Sequence, residues 1–313
     1  MSALPHFDAA LEMWVVSRYA DVVAALREPR LSASGARGGS EIDREHHRRF
    51  RADASVATAE MLQKTLPSLP VPPHDRPIDL VSEVAMPWSA QVAKDLLHPT
   101  GDPERLTAFA ADVFAAASDP RDLAQRARAD TATRELAVAF SGPLAAFHIQ
   151  AFVALTQTLP RFLANAWLAL LRDPEPAELL RNEPELMPAA IEELLRHSGP
   201  SRAQFRRASE SATLNGISIN AGDSVALMLA AANRDPDQFP EPDKLDFRRD
   251  PIRHLAFGDG PHVCIGAPLI RAAAAAATAH FVANFAGARL DAIEWHAGFA
   301  ICAPAAVRIT APV

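Results

Sequence analysis

The chain has 313 residues, 49% of them hydrophobic, 22% charged and only 6% aromatic; that length suits one large domain or two average ones, and the composition excludes a chain disordered throughout. The 31 Lys and Arg against 38 Asp and Glu leave a formal net charge of −7, which argues against nucleic acid as the main partner, because phosphate binding calls for a basic face. Two cysteines cannot build a disulfide framework and point to a reducing compartment.

Met1 to Ala10 carries no Lys or Arg ahead of its apolar residues, unlike a secretory signal. No apolar stretch is long and uncharged enough to span a bilayer, so a soluble cytoplasmic protein without membrane contact is the expectation. Met13 to Val16 reads as a short extended run, and Asp21 to Arg27 as a helix stopped by Pro29. Residues 32–40 (SASGARGGS) form a small-residue loop. A basic helical segment, Glu41 to Arg51, leads to a second loop at 67–77 with five prolines. Pro143 to Arg172 is nearly uncharged and ends at Asp173-Pro174. A helix apolar nearly all round is buried, so this one is expected to cross the core. Pro160 inside it removes one backbone bond and crowds the Thr156 carbonyl, which predicts an opening of the ladder near Thr156 to Thr158. Pro188 to His197 is a further helix, closed by Ser198-Gly199-Pro200. Asn215-Gly216, the alternating Ile217 to Asn220, and Ala221-Gly222 before Val225 to Leu229 read as a hairpin. A loop at 254–266 runs into an Ala-rich helix, Ile265 to Phe285, and the tail from Ile293 holds short strand-like pieces. The chain is mostly helical with a minor β region.

The loop at 254–266 carries chemistry. Cys264 follows two glycines, Gly258 and Gly260, whose backbone can turn tightly. It also stands at a helix start, where free N–H groups favour a thiolate. A phosphate loop fails, since no Gly-Lys-Ser/Thr follows and Val263 occupies the third glycine of the dinucleotide fingerprint. A structural zinc site lacks ligands, because Cys302 is the only other cysteine. A cysteine nucleophile would use His262 as its base, and a plain buried Cys at a helix start is the bland alternative.

Phe257-Gly258-Asp259-Gly260-Pro261-His262-Val263-Cys264-Ile265-Gly266 resembles the haem-binding signature of the haem-thiolate monooxygenases, the cytochromes P450. The resemblance implies a mainly α, cytochrome P450-like helical fold forming a single haem domain over 1–313, with abbreviated N-terminal and lid regions. It implies haem b between the Pro143–Arg172 helix and this loop, with Phe257 at the haem and Cys264 as fifth ligand of the iron. Thiolate there pushes electron density to the iron and favours O–O cleavage, and backbone N–H groups around the sulfur tune its basicity. Glu193-Leu-Leu-Arg196 resembles the family's E-x-x-R pair on one helical face. Arg249 falls where the family closes a Glu–Arg–Arg cluster, a support for the proximal side that should not touch substrate. Arg206, His254 and His262 match the family's propionate contacts. His47 and Arg51 resemble its H-x-x-x-R pair, against the alternative of a solvated basic face.

The distal side departs from the family. Aligned through Asn165 and Leu170-Leu171, Ala154 to Thr158 takes the place of A-G-x-acid-Thr. Thr158 keeps the hydroxyl, Leu155 replaces the glycine and Gln157 the acid. An amide cannot exchange a proton as a carboxylate does, and Leu155 adds bulk if it faces the iron. Thr158 and Gln157 are the candidate distal pair that orders water, and Pro160 could reproduce the opening that glycine permits. The strand and helix before Trp14 are expected to be missing, and the loop near 32–40 and the region 100–140, where the family builds its lid, to be abbreviated. A reduced lid predicts an exposed distal face, a large substrate, a homodimer or a carrier-bound substrate. The resemblance implies bacterial-type monooxygenation of a small organic molecule, with electrons from a ferredoxin-type donor because no reductase domain is fused. Peroxide-driven oxidation, dehydration or rearrangement on the same haem is the alternative, followed by haem binding without catalysis.

Overall fold

The computed structural model describes residues 4–32, 68–71, 76–119, 122–250, 252–296 and 298–311. The basic segment with His47 and Arg51, and all but the first residue of the 32–40 loop, lie outside the described residues. The chain begins with β1 (His6–Asp8) and β2 (Met13–Val16), paired antiparallel through Phe7 and Trp14. A strand therefore does precede Trp14. It is three residues long with two of them exposed, so no alternation of polarity announces it. Helix α1 (Tyr19–Arg27) and β3 (Leu31–Ser32) follow.

The helical layer starts after β4 (Ile78–Asp79) with a π-turn, Leu80–Ala85, whose backbone is capped by the Asp79 carboxylate, and continues into α2 (Met86–Leu97). Helices α3 (Pro103–Ser118) and α4 (Leu123–Ala139) pack against each other, each started by an aspartate, Asp102 or Asp122, that accepts from a first-turn N–H. The region 100–140 thus holds two helices of 16 and 17 residues. The face that α4 buries is Ala129, Ala132, Leu136 and Ala139, too weakly apolar to stand out in the sequence.

The long apolar run is one helical rod in three parts: α5 (Ala145–Val153), a π-turn at Ala154–Thr158, and α6 (Leu159–Arg172). The opening falls where Pro160 predicted it: the Leu159 N–H reaches five residues back to the Ala154 carbonyl. The Thr156 hydroxyl donates to the Phe152 carbonyl at 2.7 Å. Beyond the π-turn, Phe162, Leu163, Trp167 and Leu168 fill the main core, and Trp167 stacks on Phe281 at 5.0 Å. Each such buried side chain contributes about 1.5–3 kcal/mol relative to its exposed state. Among the described residues, no helix is long and apolar enough to cross a membrane.

Helices α7 (Pro174–Asn182) and α8 (Met187–Ser198) lead to β5 (Gln204–Ala208). Strands β6 (Ala212–Leu214) and β7 (Ile217–Ile219) form the hairpin around Asn215-Gly216, with φ of 48° and 78° at the two turn residues, as a primed turn requires. Strand β8 (Ser224–Leu227) does not fold back on β7. It inserts between β2 and β5 in a five-stranded sheet of order β1-β2-β8-β5-β3, parallel to β2 and antiparallel to β5. Val225, Ala226 and Leu227 are all buried, the continuous apolar run of a central strand rather than a hairpin edge. The chain ends with α9 (Leu229–Ala232), the Cys264 loop, α10 (Ala267–Asn284), and β9 (Arg289–Trp295) paired with β10 (Pro304–Thr310), which also pairs with β4.

Helix α8 fastens these parts through a buried ion cluster. Arg196 meets Glu193 with two parallel bonds, 2.7 and 2.8 Å, and donates to the carbonyls of Asn233 and Pro242. Arg249 Nε and the Asp246 N–H both reach Glu193 Oε1, at 3.2 and 3.1 Å. The Glu–Arg–Arg cluster therefore closes as the resemblance implied. Removing one partner strands a buried charge, so Glu193→Ala is expected to cost about 3–5 kcal/mol. Urea unfolding of the two proteins checks this, and a loss below about 1 kcal/mol would match a solvated surface pair instead.

Candidate functional site

The Cys264 loop is shaped by two glycines at φ +70°, Gly258 and Gly260, a conformation that side chains with a Cβ avoid. At Gly260 the loop also presses on α1, where a Cβ would lie 3.0 Å from the Leu26 carbonyl oxygen. The Asp259 carboxylate caps the short 3-10 turn Gly260–His262 and pairs with Arg27 at 2.9 Å. The loop closes when the Cys264 N–H donates to the Phe257 carbonyl at 2.9 Å. Cys264 is half-buried, two residues before Gly266, the N-cap of α10, and its carbonyl accepts from the Ala267 N–H. The thiol thus stands at the start of an 18-residue helix, where the dipole favours the thiolate. Neither Cys264 nor Cys302 forms a disulfide. Among the described residues no group of three or more His, Cys, Asp or Glu side chains is placed to hold a metal ion, so a multi-ligand zinc site gains no support.

Phe257 and His254 anchor the loop to α8. Arg271 lies over the Phe257 ring at 4.7 Å and holds Glu192 with two bonds of 2.6 and 2.9 Å. His254 Nε2 is 3.3 Å from Glu192 Oε2, within ion-pair reach but poorly aligned for a hydrogen bond, and Nδ1 accepts from the Ala256 N–H. The buried His254 side chain is thereby turned towards Glu192 and Phe257. Burial opposes ionisation of Glu192, yet His254 and Arg271 outweigh it and hold the carboxyl at about 2.

Arg206 on β5 is buried, with Nη1 on the Phe205 carbonyl and Nη2 on Gln204 Oε1. Its Nε is buried without an acceptor. Burial pushes the Arg206 pKa down, and burial together with the Arg206 charge pushes His262 down. An unsatisfied buried guanidinium N–H beside a histidine is a place where an anion would be stabilised. The residues present therefore fit a haem: a thiol at a helix start for the iron, and Arg206 with His262 for a propionate.

Thr158 lines two cavities. The larger, about 850 Å³, is shared with Arg206, Phe114, Ser201 and Phe205; the smaller, about 390 Å³, with Val113, Ile149 and Val153. Gln157, next to it, is bonded elsewhere at both ends of its amide. Its Nε2 reaches the Thr107 carbonyl at 3.4 Å and its Oε1 accepts from Arg161 at 3.1 Å. Leu155 is fully buried in the helical core and lines neither cavity, so its bulk faces away from the space beside Thr158. The structure brings Thr158 and Arg206 to one cavity, and Phe257, His262 and Cys264 to one loop. Residue spacing did not reveal Glu192 or Arg271, whose partners lie far along the chain, nor Gln204, which accepts from Arg206 two residues on.

A cytochrome P450 family model matches residues 167–289. The chain is 30% identical to nocardicin C N-oxygenase of Nocardia uniformis subsp. tsuyamanensis, across 96% of this chain and 89% of that protein. It is 32% identical to vitamin D(3) 25-hydroxylase of Pseudonocardia autotrophica, across 83% and 77%. The cytochrome P450 enzyme CYP109B1 from Bacillus subtilis superimposes with a TM-score of 0.78 at 26% identity, covering 98% of this chain and 96% of that one. Fold and relatives together define an oxidoreductase of the haem-dependent kind. The chain belongs to the cytochrome P450 family.

The Glu192 clamp gives a pH signature. A carboxyl held at about 2, against its ordinary 4.5, contributes fully above the ordinary value and loses that contribution as pH falls towards about 2. Thermal midpoints of wild type and Glu192→Gln are expected to differ above about pH 5 and to converge as the pH approaches 2. A constant gap over the whole range would contradict the clamp.

Proposed function

We propose that the protein is a single-domain haem b-thiolate monooxygenase, with Cys264 as the axial ligand, acting in a bacterial cytoplasm. It inserts one oxygen atom into a small organic substrate with electrons from a ferredoxin-type donor. The observation that carries this reading is the Cys264 thiol at the start of α10, in a loop closed by its own N–H on the Phe257 carbonyl. The haem, when bound, supplies the iron at which oxygen is activated.

The chain's own residues have separate tasks in this reading. The α10 dipole and the free N–H groups at its start keep Cys264 as thiolate. Phe257 covers the loop under Arg271. Arg206 and His262 hold a propionate, and the Nε of Arg206 gains the acceptor it lacks. His254, matched to the same propionate contacts, would act from the Glu192 side by holding the loop on α8. His47 and Arg51 are further propionate contacts in this reading. Thr158 offers its hydroxyl to water in the cavity it shares with Arg206. Gln157 is a positioning residue, tying the π-turn to the Thr107 carbonyl and to Arg161.

That engagement of Gln157 favours one alternative. With an amide in the acid's place and both its ends bonded, a carboxylate proton route at this position is lost, which suits peroxide-driven oxidation, dehydration or rearrangement. Turnover by the haem-loaded enzyme separates the two. Product formed with reductase, ferredoxin and dioxygen is expected to exceed product formed with hydrogen peroxide, and Thr158→Val is expected to lower the first rate about a hundredfold. A clear preference for peroxide, with no response to Thr158→Val, would replace monooxygenation by the alternative.

A further inference from the structure

Arg161 is a cation that the site as built leaves without a task. It stands three residues after Thr158, the N-cap of α6, and is half-buried. Its Nη1 donates to the Gln157 carbonyl at 2.6 Å and to Gln157 Oε1 at 3.1 Å. The guanidinium carbon lies 4.5 Å from the centre of the Phe114 ring, and Phe114 lines the 850 Å³ cavity together with Thr158. Among the described residues no carboxylate comes within 4.0 Å of Arg161. Burial pushes its pKa down. Burial and the Arg161 charge both push the His296 pKa down. A charge withdrawn from water without a counter-ion is costly. Four residues earlier, where the family alignment expects an acid, Gln157 supplies an acceptor and no charge. No described residue supplies a negative charge there, and a ligand would bring one.

We propose that Arg161 is a carboxylate-binding residue of the substrate site, so that the substrate is an organic acid whose apolar body lies past Thr158. This deepens the monooxygenase reading of that cavity and rests on it. Gln157 and Phe114 fix one edge and one face of the guanidinium, leaving Nε and Nη2 to meet a carboxylate side by side, the geometry that makes such pairs strong. The walls beyond are apolar: Phe205 and Ile301 in the larger cavity, Val113, Ile149 and Val153 in the smaller. Thr158, common to both, then stands between the held carboxylate and the apolar body.

Octanoate and octanamide, matched in size and differing in charge, test this by titration calorimetry on the haem-loaded protein. Wild type is expected to bind octanoate at least about tenfold more tightly than octanamide, a difference of about 1.4 kcal/mol. Arg161→Gln should level the two affinities. Gln157→Glu should give Arg161 an internal partner and weaken octanoate about tenfold while leaving octanamide unchanged. The second variant decides the matter if the first does not fold. Equal affinities in wild type, no binding of octanoate, or a preference that survives both substitutions overturns the inference. Urea midpoints recorded alongside identify an arginine that only braces α3 on α6, because stability would then fall with the octanoate-to-octanamide ratio unmoved. Soret absorbance keeps the two levels apart: its absence from the loaded wild type defeats the haem reading, whereas a failed ratio with haem intact defeats only the carboxylate.

Discussion

One backbone hydrogen bond, from the Cys264 N–H to the Phe257 carbonyl, fixes where the thiol stands, and much of the surrounding structure keeps that bond in place. Its loop needs two residues in the left-handed region, which only glycine adopts without strain. It also needs a platform, and α8 supplies one with two adjacent carboxylates. Successive residues on a helix point about 100° apart, so Glu192 and Glu193 serve different neighbours. Glu192 reaches Arg271 and His254 and steadies α10 with the loop. Glu193 faces inward to Arg196 and Arg249 and ties down the segment between α9 and the loop. Asn233 links the two arrangements: its carbonyl accepts from Arg196, and its side chain accepts from the Leu255 N–H at 2.7 Å.

The cavity wall that carries Thr158 depends on a fault in a helix. A proline at 160 cannot donate to the ladder, and the rod opens into a π-turn just before it. A π-turn changes which residues share a face downstream. Here Leu155 goes to the core, Gln157 to the Thr107 carbonyl, and Thr158 to the cavity wall. The two polar residues that the family alignment paired therefore have different neighbours. Thr158 borders the cavity, and Gln157 braces α3 and Arg161.

What could be read from the sequence was mostly local. The Cys264 loop, the E-x-x-R spacing, the Asn215-Gly216 turn and the Pro160 opening each follow from residues within a few positions of one another. Arrangements that depend on distant partners were not visible. Strand β8 looks like half of a hairpin until β2, some two hundred residues earlier, is seen beside it. Helices α3 and α4 bury small faces, Leu106 and Ala110 on one and Ala129, Ala132, Leu136 and Ala139 on the other, which hydrophobic periodicity barely registers. The turn of His254 towards Glu192 follows from packing between elements and carries no motif.

The central claim is a bond between the sulfur of Cys264 and haem iron. The absorption spectrum of the reduced carbon monoxide adduct tests it most directly, recorded for wild type and for Cys264→Ser loaded with equal haem. Wild type should give the long-wavelength Soret band of thiolate-ligated haem, and the serine variant should bind haem without that band. The same band in both proteins, or its absence from wild type, would contradict the account.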